Sequence, residues 1–189
     1  MPDPAIEVGV LVGSLRRESV NRKLASAMAS LVPERLSFTE VALGELPMYN
    51  GDLEPDRPSP VEVFTDKIRG FDAILMVMPE YNRSVPAVLK NAIDWGSKPP
   101  HANAWLDKPV ALTGISPGAI STAAGQLHLR QVLGALGAAV LGGEAYLSTR
   151  SEPFRPDGTL QDSAREFLGD YLNRFADFAG KLRTTEAAR

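Results

Sequence analysis

Short, almost wholly apolar runs alternate with amphipathic stretches along this chain, and few folds accept that pattern. Residues 72–78 (DAILMVM) and 109–115 (PVALTGI) have the composition of strands covered on both faces of a parallel sheet. Residues 5–12 read as a third buried strand, 36–43 as an alternating one and 138–147 as the last. Between the strands lie segments with helical spacing. Residues 20–31 put Leu24, Ala27, Met28 and Leu31 on one face, and 61–68 turn Val61, Phe64 and Ile68 inward. Residues 86–95 carry Pro86 in the first turn, and 119–136 carry a stripe of Leu129, Val132, Leu133 and Leu136 that ends at Gly137. In 162–182, Phe167, Leu168, Tyr171, Leu172, Phe175 and Phe178 read as core. Strands and helices in strict alternation imply a three-layer α/β fold: one parallel sheet with helices on both faces. For five strands the usual order is 2-1-3-4-5. No repeat or linker divides the chain, so residues 1–183 are expected to form one domain. Residues 184–189 have little to bury and are expected to be a disordered tail.

Composition removes several kinds of chemistry. The chain has no cysteine and only two histidines, His101 and His128. Disulfides, thiol catalysis and cysteine metal centres are therefore excluded, and no side chain stands out as a catalytic group or metal ligand. Demanding chemistry would have to come from a cofactor. A net charge of −3 and the lack of a basic tract give no reason to expect nucleic acid or a membrane surface as partner. The N-terminal MPDPAIEV has neither a basic region nor a long apolar stretch. A secretory signal is thus not expected, and the cytoplasm is the expected compartment.

Three strand-end loops carry the functional signal. GSLRRESVN (13–21) follows the first strand and opens the first helix. A helix start offers unpaired N–H groups and a positive dipole end, and hydroxyls and arginines add donors suited to phosphate oxygens. The loop has no Gly-Lys-Ser/Thr ending and a single glycine, which excludes the nucleoside-triphosphate loop and the dinucleotide fingerprint. A phosphomonoester on a bound cofactor fits it. The plain alternative is that Ser19 only caps the helix while the arginines are solvated. Pro79-Glu80-Tyr81-Asn82-Arg83-Ser84-Val85-Pro86 follows the third strand, stiffened by two prolines. Ser116-Pro117-Gly118 follows the fourth, where Gly118 removes a side chain from the path of a flat ligand. In the 2-1-3-4-5 order these loops border one crevice, which suits a flat heterocycle on a phosphate tail.

GSLRRESVN, PEYNRSVP, LKNAIDW and HLRQVL together resemble the NAD(P)H-dependent FMN reductases, a family that includes bacterial quinone and chromate reductases. The likeness runs from about residue 6 to about residue 144. It implies a flavodoxin-like fold and non-covalently bound FMN. It also implies ping-pong chemistry, in which NAD(P)H delivers hydride to the flavin and electrons pass on to FMN, quinones or similar small acceptors. Ser14, Arg16, Ser19, Val20 and Asn21 would bind the FMN phosphate. Pro79, Glu80, Tyr81, Asn82 and Ser84 would line the isoalloxazine and ribityl region, and Ser116 and Gly118 would border the ring. Backbone N–H groups of residues 80–84 are expected to face the pyrimidine edge, where negative charge collects on reduction. Relatives are commonly dimers or tetramers, so a homodimer or homotetramer is expected. One departure follows Ser116-Pro117-Gly118: where many relatives place a pair of glycines before the helix, this chain has Ala119-Ile120-Ser121-Thr122-Ala123-Ala124-Gly125, bulkier residues expected either to narrow the approach to the ring or to change what stacks on it. Glu18 is expected to point to solvent.

Several residues keep two readings. Lys90, Asn91, Asp94 and Trp95 are either interface residues or one exposed helix side with a packed Trp. Arg130 either pairs with an acid across an oligomer contact or is simply exposed. His128 is read as structural, His101 as solvated, and Arg83 as a candidate for the nicotinamide substrate's phosphates. A flavodoxin-type electron carrier is the alternative function, though carriers tend to be strongly acidic and −3 does not favour one.

Overall fold

The computed structural model describes residues 4–187. Its strands are β1 (Ile6–Val12), β2 (Leu36–Glu40), β3 (Ala73–Val77), β4 (Pro109–Ser116), β5 (Ala139–Val140) and β6 (Tyr146–Ser148). Its α-helices are α1 (Val20–Met28), α2 (Ser59–Gly70), α3 (Ala87–Gly96), α4 (Ala123–Ala135) and α5 (Asp162–Ala187). All strands are parallel, in the order β2-β1-β3-β4-β5, with β6 pairing a later stretch of β4. The expected flavodoxin-like order is therefore present.

Each inner strand sends alternate side chains to opposite faces. Val8, Val10 and Val12 of β1, Leu75 and Val77 of β3, and Ala111 and Ile115 of β4 pack with α1 and α5. Leu11, Ile74, Met76, Val110 and Leu112 pack on the other face with Phe64 and Ile68 of α2, Leu89 and Ile93 of α3, and Leu129 and Leu133 of α4. The helices that follow the adjacent strands β1 and β3 thus lie on opposite sides. Where β3 ends, β4 comes so close that a Cβ on Gly114 would stand 2.0 Å from the Met78 carbonyl oxygen. Only glycine fits there.

Several boundaries differ from the pattern-based ones. β2 stops at Glu40, although Val41 still donates to the Val10 carbonyl (2.9 Å) and Val41 and Leu43 remain buried. α1 stops at Met28, and Leu31 donates to the Met28 carbonyl in a turn beyond it. α4 starts four residues later than expected, at Ala123, because a turn comes first; in it Ser121 donates to the Gly118 carbonyl and sits at φ 50°. Phe167 is 45% exposed and not core, because the buried stripe of α5 runs through Leu168, Tyr171, Leu172 and Phe175 at helical spacing. α5 continues through Ala187, so the stretch expected to be a disordered tail begins as helix, while residues 188–189 lie outside the described residues.

The largest difference is in the expected last strand. It is two short pieces, β5 against Pro109–Val110 and β6 against Gly114–Ser116. Between them residues 141–145 leave the sheet at Gly142 and Gly143, the latter at φ +85°. Leu112 of β4 then has no strand partner on that side. The Tyr171 hydroxyl fills the gap: it accepts from the Leu112 N–H (3.1 Å) and donates to the Leu112 carbonyl (2.8 Å). Side chains also hold the carbonyls of the excursion. Arg130 bonds those of Leu141 (2.8 Å) and Gly143, Arg174 that of Gly142 (2.8 Å), and Gln126 that of Ala145 (3.0 Å). Arg130 is therefore a clamp within the chain and is not simply exposed.

Candidate functional site

Register brings the three loops to one edge. Val12 of β1 pairs with Val77 of β3, and Val77 with Thr113 of β4, so β1 and β3 end level with Thr113, while β4 runs on to Ser116 beside β6 before its loop begins.

In the first loop, Arg22 determines which groups face inward. Its guanidinium donates to the carbonyls of Arg16 (3.2 Å) and Ser14 (3.3 Å) and to the Glu40 carboxylate (3.0 Å). Two carbonyls of the loop are thereby engaged by a cation. Ser19 is the N-cap and its hydroxyl accepts from the Arg22 N–H (3.3 Å). The N–H groups of Val20 and Asn21 in the first turn have no hydrogen bond among the described residues. Ser14 is buried, its hydroxyl accepting from the Arg16 N–H (3.4 Å). Arg16, Arg17 and Glu18 are exposed. The Arg16 guanidinium has no partner among the described residues, which leaves it available to an anion.

The Asn21 side chain does a different job from the one expected of it. It is 2% exposed; its amide nitrogen donates to the Ile115 carbonyl and its amide oxygen accepts from the Ile115 N–H, both at 3.0 Å. It pins α1 to β4, and what it offers an anion is its backbone N–H. Arg22 was not among the residues singled out from sequence. It did carry a signal, because a cation in a first helical turn opposes the dipole and needs a reason.

In the second loop Pro79 is buried and Tyr81 is 46% exposed. Tyr81 and Ser84 exchange backbone hydrogen bonds (3.2 and 2.9 Å), with Asn82 at φ 50° and Arg83 at φ 65° between them. This is a tight hairpin turn with two left-handed residues in succession. The N–H groups of Tyr81 and Ser84 are thus spent on the turn. Those of Glu80, Asn82 and Arg83 are left for a ligand edge, which narrows the expected set. The Glu80 carboxylate turns toward α4 and accepts from the Gly125 N–H (2.8 Å); Arg83 donates to its other oxygen (3.3 Å).

In the third loop the buried Ser116 hydroxyl accepts from the Gly118 N–H (3.1 Å) and donates to the Ser121 carbonyl (3.2 Å). Ser116 therefore shapes the turn, with Gly118 half-buried in it and Ile120 46% exposed beside it.

A further segment is fixed by LKNAIDW. Asn91 accepts from the Tyr49 N–H (2.7 Å) and donates to the Pro47 carbonyl (2.9 Å), which also receives the Trp95 indole N–H (2.8 Å). The Tyr49 ring meets Trp95 edge-on at 5.0 Å. Asn91 and Trp95 are buried anchors for the loop after β2, and only Lys90 and Asp94 (2.7 Å apart) sit at the helix surface. The packed Trp of one reading is present, while the anchor it makes with Asn91 was not anticipated. Among the described residues no three His, Asp or Glu side chains are placed to hold a metal, and no helix is long and apolar enough to cross a membrane.

A parallel α/β sheet in this order, with an anion cradle in its first βα turn and two stiff loops beside it, defines a flavodoxin-like protein built to hold a phosphate-bearing cofactor. The chain belongs to the NADPH-dependent FMN reductase family, whose model matches residues 6–152. It is accordingly an NAD(P)H-dependent flavoprotein oxidoreductase with FMN as cofactor. The unpaired N–H groups and the unpaired Arg16 fit a phosphomonoester. Among its relatives, a quinone reductase of Pseudomonas putida is 46% identical over 90% of this chain and 93% of that one. A 2-hydroxy-1,4-benzoquinone reductase of a Burkholderia species is 41% identical over 91% and 95%. The solved structure of FerB, a flavoenzyme NAD(P)H:(acceptor) oxidoreductase from Paracoccus denitrificans, is 39% identical. It covers 94% of this chain and 98% of its own, with a TM-score of 0.88.

Proposed function

We propose that this chain reduces quinones with NADH or NADPH and holds FMN across the three strand-end loops. The observation that carries the placement is the start of α1, where two N–H groups stand unpaired beside an unpaired guanidinium. In this reading Ser14, Arg16, Ser19, Val20 and Asn21 surround the phosphate, with Ser14 and Ser19 contributing through the turn and cap they fix. Pro79, Glu80, Tyr81, Asn82 and Ser84 line the ring and ribityl chain, and Ser116 and Gly118 border the ring. FMN, when bound, supplies the hydride and electron chemistry. The protein binds and orients it: the loop after β1 tethers the phosphate, and the N–H groups of Glu80, Asn82 and Arg83 offer donors at the ring edge. No side chain is needed as a nucleophile, in keeping with a chain without cysteine. That same lack suits a reducing compartment, and we place the protein in the cytoplasm.

The acceptor assignment draws on the two quinone-reducing relatives. Assembly as a homodimer or homotetramer belongs to the same reading. Exposed Tyr81, Ile120 and Leu127 supply apolar surface beside the crevice loops and on α4. The test is anaerobic. FMN-loaded protein should bleach with NADH or NADPH and recover its colour on adding a benzoquinone, with parallel-line kinetics across quinone concentrations. Bleaching by nicotinamide without recovery by quinone would remove the quinone assignment. Sedimentation velocity reads the assembly; a monomer would remove that part.

A further inference from the structure

The hairpin turn at residues 81–84 does not hold itself. An arginine at φ 65° lacks the freedom of the glycine that such turns prefer, and Arg83 is the second of two left-handed residues. Something outside the turn must fix its shape. The first two turns of α4 make that contact. Gly125 donates its N–H to the Glu80 carboxylate (2.8 Å), whose side chain is only 5% exposed. A Cβ on Gly125 would stand 3.1 Å from the Ser84 carbonyl oxygen and 2.7 Å from the Met78 methyl, so this glycine is what lets the helix lie so close. One turn further on, His128 Nδ1 lies 3.1 Å from the Ser84 hydroxyl. Positions 125 and 128 are three apart and share a helix face. That face therefore grips the loop at Glu80 and at Ser84, on either side of the strained pair.

We infer that His128 is a positioning residue for FMN, acting through Ser84. The hydroxyl has one proton to give. When Nδ1 is bare, that proton is spent on His128. When Nδ1 carries hydrogen it donates to Ser84, and the hydroxyl keeps its proton for the crevice. His128 thus decides both where the Ser84 hydroxyl stands and whether it offers the flavin a donor or an acceptor. This inference rests on the proposed placement of FMN beside Ser84.

The test is FMN titration into the stripped full-length chain, read by flavin fluorescence and by the visible band of the bound flavin. His128→Ala is expected to raise the FMN Kd about fivefold, the worth of one ordinary hydrogen bond, and to shift the visible band. His128→Asn places an amide near the Nδ1 position and is expected to restore both. Ser84→Ala should cost at least as much as His128→Ala, and adding His128→Ala to it should add nothing further, as for a residue that acts only through Ser84. Should His128→Ala fail to fold, His128→Asn and Ser84→Ala carry the same comparison. An unchanged Kd and band in His128→Ala, with Arg16→Ala still weakening FMN, overturns the inference and leaves the site standing. An unchanged Kd in both Arg16→Ala and Ser84→Ala overturns the site assignment, and the inference with it.

Discussion

At the scale of single residues, the proposed phosphate loop holds side chains left free for a ligand and side chains that shape the loop. Arg16 belongs to the first kind. A charge-assisted bond to phosphate is strong enough that Arg16→Ala should weaken FMN tenfold or more. Riboflavin, which lacks the phosphate, should bind the variant as it binds the parent; isothermal titration of both ligands checks this. Asn21 belongs to the second kind. Asn21→Ala leaves the buried N–H and C=O of Ile115 without partners. It should cost about 2–4 kcal/mol of stability by urea unfolding. The contrast explains what a one-dimensional reading could reach. Ser19 as cap and the N–H-rich helix start depend on neighbours within a turn and were legible in the sequence. The partner of Asn21 lies 94 residues away, and nothing near Asn21 in the chain announces it. The anchoring role shared by Asn91 and Trp95 was missed for the same reason, because their common acceptor, the Pro47 carbonyl, sits in a loop without periodic pattern.

At the scale of elements, apolar periodicity found every strand and helix of the sheet core, because burial on two faces leaves a continuous apolar signature. It failed where hydrogen bonds, and not burial, decide a boundary. Residues 138–147 are apolar enough for one strand, yet Gly142-Gly143 lets the backbone leave the sheet and side chains collect the released carbonyls. Tyr171 is the element-scale repair. Tyr171→Phe strands both backbone groups of Leu112 and should lower stability by about 2–4 kcal/mol with the helix content intact, as read by urea unfolding with circular dichroism. The hydroxyl also sets an alkaline limit. Burial pushes the Tyr171 phenol above the ordinary phenol range. A group with a raised folded-state value contributes stability below its unfolded value, and that contribution is lost as pH rises through the folded one. Parent stability should therefore decline from about pH 10 upward, and Tyr171→Phe should lack that part of the decline. Urea midpoints at pH 9 to 11 would show it; parallel curves for parent and variant would count against the assignment.

At the scale of the whole molecule, the proposed ligand site is made from segments far apart in sequence: residues 14–21, 79–84 and 116–118. A ligand that binds all three reports on the folded chain and not on any fragment of it. FMN at a hundred times its Kd should add about 2.7 kcal/mol. At this length that moves Tm by roughly 5–10 °C, while riboflavin at the same concentration should give a smaller shift because it lacks the phosphate; differential scanning calorimetry measures both. The repair in β4 reaches across the same distances, and its consequence concerns time. Tyr171 lies 59 residues beyond Leu112, C-terminal to every strand. A chain emerging from the ribosome at 5–20 residues per second makes Leu112 on the order of 3–12 s before the hydroxyl that will close it. Through that interval Leu112, between the stretches of β4 that β5 and β6 cover, keeps an unpaired N–H and carbonyl that another chain's backbone can meet. The docking of α5 is therefore the event that closes this gap in β4.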